Sequence, residues 1–174
     1  MMAKTKKFKR EELHSRFIDA LGDHVECHSD LTEKPFLVDL KPRKLKLRVY
    51  LWNCTNPPGG RPLDEYKIQV ILPAHKTDKF AHLDYSEGRT PIIGGIARDG
   101  EDIVFVLWDA DKHDDIPFSM NLQVKADVII RSLCEEVTEA IRKNDERIVC
   151  ARPQFLYDAI IKRMDISEAK EIGD

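Results

Sequence analysis

This chain has no long apolar run: even the apolar-rich segment from Val124 to Ile130 falls far short of the ~20 residues needed to cross a bilayer. The basic segment Met1 to Arg10 is not followed by an apolar h-region, so no secretion leader is expected and the cytoplasm is the expected location. Cysteine is sparse. The four residues, Cys27, Cys54, Cys134 and Cys150, never form the C-x-x-C pairs that zinc and redox sites use, and free thiols are expected. His24, Cys27 and His28 cluster in sequence without a fourth ligand nearby. The acidic stretch Asp109, Asp111, Asp114 and Asp115 lacks the glycine and terminal glutamate of a calcium loop, and reads as a solvated loop. Gly94-Gly95 lacks the Lys-Ser/Thr of a phosphate loop, which excludes the usual nucleotide hydrolase. No metal or cofactor is called for, and no repeat or low-complexity segment is visible.

What is present suits one folded domain spanning 1–174. Hydrophobic residues make up 42% of the chain and charged residues 34%, so neither a disordered nor a fibrous chain is expected. The net charge of −3 hides a division. Residues 1–72 carry 14 Lys+Arg against 10 Asp+Glu, whereas the remaining 102 carry 14 against 21. A basic surface built by the first half follows, with a merely solvated charge distribution as the alternative. Residues 1–8 read as a flexible basic tail, with phosphate contact as the other reading, and 166–174 as a frayed end.

Periodicity predicts a helix over 9–21, where Leu13, Phe17, Ile18 and Leu21 share a face and Gly22 stops it. Strands are predicted at 36–40, 44–52, 66–72, 103–108 and 121–125. Helical spacing of Val128, Ile129, Leu133, Val137 and Ile141 predicts a helix from Ala126 to about Arg147, and a last helix covers Pro153 to Met164. With too few helices to separate the strands, the expected fold is α+β: a curled mixed or antiparallel sheet, or small open barrel, flanked by N- and C-terminal helices.

The 44–52 strand alternates strictly. Leu45, Leu47, Val49 and Leu51 are expected on a core face, and Lys44, Lys46, Arg48, Tyr50 and Trp52 on an outward basic-aromatic face. Cations neutralise phosphates and aromatic rings stack on bases, so one strand offers both halves of a nucleic-acid surface. Its alternative is an edge strand kept soluble by charge. The expected phosphate contacts are Lys44, Lys46, Arg48, Arg61 and Lys67. The base contacts are expected from Tyr50, Trp52, Asn53, Asp64, Gln69, Trp108 and Asp109, rings and polar groups fit to hold a flipped base, although paired tryptophans at strand ends also serve as core plugs.

Arg48 to Thr55, the Gly59-Gly60-Arg61-Pro62 turn, Asp64 to Gln69 and Phe105 to Asp109 resemble N-terminal segments of prokaryotic restriction-system proteins. The resemblance, over residues 45–125, is to DNA-recognition domains of modification-dependent restriction endonucleases, whose SRA-like members have a PUA-like curled sheet. It implies a module that binds double-stranded DNA and reads a short or cytosine-modified site. A nuclease or motor would then come from another domain or chain.

Two other classes stay open. Glu65-x-Lys67 entering a strand matches half of a PD-(D/E)xK nuclease core, with Asp39 as the upstream Mg²⁺ ligand. The intervening Pro-rich loop and the missing helical crossover argue against it. The aromatic strand also suits a protein-docking module.

Overall fold

Short runs of alternating polar and apolar residues, broken by turns, build a fold dominated by short paired strands. The computed structural model describes residues 6–56, 64–72, 80–113, 115–117 and 119–173. In order these form α1 (Arg10–Leu21), β1 (Val25–His28), β2 (Phe36–Leu40), β3 (Leu45–Cys54), β4 (Glu65–Val70), β5 (Thr90–Asp99), β6 (Asp102–Trp108), β7 (Met120–Lys125), α2 (Ala126–Ser132), β8 (Thr138–Ile141), β9 (Arg147–Ala151) and α3 (Leu156–Gly173). The fold is mixed α+β, with terminal helices around a curled, unclosed and mostly antiparallel sheet.

Seven strands form that sheet in the order β1-β2-β3-β5-β6-β9-β8, and β4 pairs with β7 in a separate two-stranded sheet. Only β3 and β5 run parallel within the large sheet. Their crossover carries β4 over one face, and two backbone hydrogen bonds between Thr55 and Lys67 tie the small sheet to the end of β3.

The large sheet is therefore covered on both sides. Leu47, Val49 and Leu51 pack with Leu13, Phe17 and Leu21 of α1 and with Leu156, Ile160 and Met164 of α3. On the reverse side, Tyr50 and Cys54 join Ile68, Val70, Leu122 and Val124 of the small sheet, and Val128 and Ile129 of α2. Strands buried on both faces lose the simple inside-outside meaning of their alternation. Gly95 permits this layering: a Cβ there would lie 2.8 Å from Ile68 Cγ2 and 3.1 Å from Cys54 Cβ.

One expectation about the C-terminal third is corrected. The helix expected over 126–147 ends at Ser132, and the rest forms β8, a turn and β9. Val137 and Ile141 fell on helical spacing by coincidence, while β-branched Thr138, Ile141, Ile148 and Val149 favour strands, and Asn144 and Asp145 turn the chain with φ of 58° and 57°. The last helix, expected to end at Met164, continues to Gly173, with Lys170 reaching back to Asp109.

Candidate nucleic-acid interface

The end of β3 and the start of the chain build a groove of about 340 Å³, lined by Lys7, Trp52, Asn53, Thr55, Lys67, Gln69 and Ile71. Asn53 organises it. Its side-chain oxygen accepts from the Phe8 amide at 2.8 Å and its side-chain nitrogen donates to the Phe8 carbonyl at 2.9 Å, so it holds the N-terminal segment like a neighbouring strand. The Phe8 ring is flanked by the guanidinium groups of Arg16 and Arg98, each 4.3 Å from its centroid. These contacts bring Lys7 beside Trp52 and Lys67.

Pairing of β2 with β3 carries Lys34 to Trp52, with its ammonium 4.1 Å from the centre of a Trp52 ring. Burial, then repulsion from Arg10, lowers the Lys34 pKa to about 8. Among the described residues, the groove's lining contains no carboxylate. A cation held partly out of water in such surroundings is a position that an anionic ligand would relieve.

Of the residues expected to make this surface, Trp52, Asn53, Lys67 and Gln69 come together. Asn53 nevertheless spends both its polar atoms on Phe8, so it positions the chain rather than presenting a free amide. Lys44 and Lys46 are exposed, but Lys46 is six residues along β3 from Trp52, ~20 Å away at strand rise. Asp64 is exposed at the start of β4, 3.5 Å from the Lys125 ammonium. Arg61 lies outside the described residues.

Arg48, Tyr50, Trp108 and Asp109 belong to the interior, which corrects the outward basic-aromatic face at Arg48 and Tyr50 and puts Trp108 and Asp109 away from the groove. Arg48 is 5% exposed, and Nη1 donates to the carbonyls of Asp84 at 2.7 Å and Ser86 at 3.2 Å. Its guanidinium also lies 3.4 Å from Glu87. Tyr50 is buried against the small sheet, and burial raises its pKa. Trp108 is the core plug, its indole N–H donating to the Gln123 carbonyl at 3.2 Å. Asp109 is 1% exposed and sits in a charge network with Arg163, 3.5 Å away, and Lys170. Glu146, accepting from the Asp109 amide at 3.0 Å, from His113 at 2.9 Å and from Arg142 at 2.5 Å, extends that network.

The nuclease set is not assembled. Asp39 lies in β2 of the large sheet, ion-paired with Arg89 at 2.9 Å, whereas Glu65 and Lys67 lie in the small sheet. No cluster of three His, Cys, Asp or Glu side chains suited to a metal occurs among the described residues. No helix among them is long and apolar enough to cross a membrane.

Sequence reasoning offered phosphate contact only as the second reading of the tail that carries Lys7, and it missed Lys34 beside Trp52; no local pattern places either one, because the Asn53 clasp and strand pairing do. The small sheet, by contrast, left a trace in the alternation of Asn121, Gln123 and Lys125.

Fold and surface together define a mixed α+β domain with a cation-and-amide groove at one end of its sheet. Residues 45–160 match the methylase-associated X1 family, and the chain belongs to it. That family fits a restriction-modification context. Neither the curated proteins nor the solved structures contain a match.

Proposed function

We propose that this chain is a DNA-recognition domain of a restriction-modification system, reading a short and modification-sensitive site, with catalysis supplied by another domain or chain. The observation that carries this reading is the groove beside Trp52, where Lys7 and Lys67 gather with Gln69 and the Lys34 ammonium lies over the Trp52 ring. Cations there neutralise phosphates, and the half-buried indole offers a stacking surface once Lys34 moves toward a phosphate. The methylase-associated family supports the context, and the curled, unclosed sheet supports a PUA-like, SRA-like relationship. Tyr50 and Trp108 are interior, so a flipped base would have Trp52 rather than a Tyr50–Trp108 sandwich as its platform.

The test is fluorescence anisotropy with labelled duplexes, cytosine-methylated and unmethylated, over a salt series. Binding should fall steeply with salt, and Lys7→Ala and Lys67→Ala should each lower the log-log slope by about one. Trp52→Ala should reduce the preference between duplexes more than it reduces overall affinity. Absence of salt-dependent binding to every duplex would overturn the proposal and favour a protein-docking module.

A further inference from the structure

The small sheet has a face that the groove does not account for. In the β4–β7 register, Glu65 stands opposite Lys125, Lys67 opposite Gln123, and Gln69 opposite Asn121. The other side of the same strands, Ile68, Val70, Leu122 and Val124, is buried, so the hydrophobic core fixes which side faces out. Gln69, Asn121 and Lys125 are exposed, and Lys67, Gln123 and Glu65 partly so. Side chains on this face brace one another: the Lys67 ammonium donates to Asn121 Oδ1 at 3.3 Å, and Gln69 Nε2 donates to Ser119 Oγ at 2.7 Å.

Depressions flank this ribbon on both sides. One is the Trp52 groove beside β4. The other, about 290 Å³, lies where β7 and β4 meet β8 and its following turn, and Lys125, Arg142 and Lys143 rim it over a floor that includes Val124, Val128 and Ile148. The ribbon is thus a ridge of amides and cations, with the Glu65 carboxylate beside Lys125 at one end, between two depressions, each with cations at its edge.

Resting on the DNA reading above, we propose that the β4–β7 ribbon is the base-reading element and lies in the major groove of a DNA duplex. Its exposed Gln69 and Asn121, with Gln123, meet base edges, while Lys7 and Lys67 on one side and Lys143 on the other contact the two phosphate backbones. A two-stranded ribbon fits the ≈12 Å width of that groove, and side-chain amides pair with adenine N6/N7. The three cross-strand pairs span ~13 Å at strand rise, the length of about four base pairs. The choice is DNA over double-stranded RNA because side chains cannot reach into the deep, narrow major groove of A-form RNA.

The experiment is selection from a duplex library with a randomised centre, followed by anisotropy on the winners, on an unrelated duplex and on double-stranded RNA. The proteins are the full chain, the double variant Gln69→Ala/Asn121→Ala, and Lys143→Ala, each checked for an unchanged melting temperature, which their exposure allows. The native chain should select a motif of about four base pairs. The double variant should bind the unrelated duplex within about twofold of native but lose roughly tenfold or more on the selected site. Lys143→Ala should weaken all duplexes alike and lower the salt slope by about one. A motif preference that survives intact in the double variant, or RNA duplex bound as tightly as DNA, would overturn the ribbon assignment alone. Failure to bind any duplex would instead remove the DNA reading on which it rests.

Discussion

Arg48 shows how one residue's role turns on burial. On an exposed strand its charge would meet phosphate, but here the guanidinium is enclosed and pins the 84–87 segment through two carbonyls. Replacing it leaves those acceptors short of partners, at a cost of about 1–3 kcal/mol. Arg48→Met should therefore lower the unfolding free energy in urea by that much while leaving duplex affinity of the folded fraction unchanged. A large affinity loss at full stability would restore Arg48 to the binding surface. The alternation around it was legible in the sequence, because Leu47, Arg48, Val49 and Tyr50 do point to opposite faces. That both faces are buried was not, since the cover on one of them comes from β4 and β7, strands distant in the chain.

Among elements, the N-terminal segment depends on β3 for its place. Its sequence is basic and carries no strand or helix signal before Arg10, which is why residues 1–8 read as a flexible tail. Residues 1–5 lie outside the described residues, whereas Asn53 and the Arg16–Phe8–Arg98 stack hold residues 6–9. Asn53→Ala removes both hydrogen bonds, so the Phe8 amide should lose its hydrogen-exchange protection, and duplex affinity should fall with it because Lys7 leaves the groove. Protection unchanged at Phe8 would show that the arginine stack alone suffices. The sequence identified β2, β3, β4, β6 and β7 from alternation or apolar runs; it missed β1 and β5, and it failed at β8 and β9, where a helical spacing and β-branched residues made opposite claims and pairing of β9 with β6 and β8 decided.

At the scale of the whole molecule, two buried sites couple folding to pH. His14 stacks on Phe36 and donates from Nδ1 to the Leu31 carbonyl at 2.7 Å, leaving Nε2 without a partner among the described residues, and burial lowers its pKa from 6.5. Burial alone would raise Glu146, but hydrogen bonds and charge from His113, then Arg142 and the Asp109 amide, outweigh it and hold its pKa below 4.5. In both cases the unfolded chain takes up protons first, so stability falls as pH falls. Urea midpoints from pH 8 to 3 should decline in two stages, the first beginning near 6.5 and the second near 4.5. His14→Phe should remove the upper stage and Glu146→Gln should shrink the lower, to which Glu135, Asp30 and Asp84 also contribute, and a His14→Phe profile that matches the native one between pH 7 and 5 would contradict the assignment. Glu146, Asp109, Arg142, Arg163 and Lys170 come from separate parts of the chain, and nothing in their spacing marks them as a network. The sequence by itself determined the α+β class, most strand positions and the basic character of the first half, because alternation and charge are local properties of the chain. Only the tertiary structure decided which polar face stays in water, since packing of the second sheet and the 84–87 segment encloses Tyr50 and Arg48 and leaves Lys67, Gln69 and Asn121 outside.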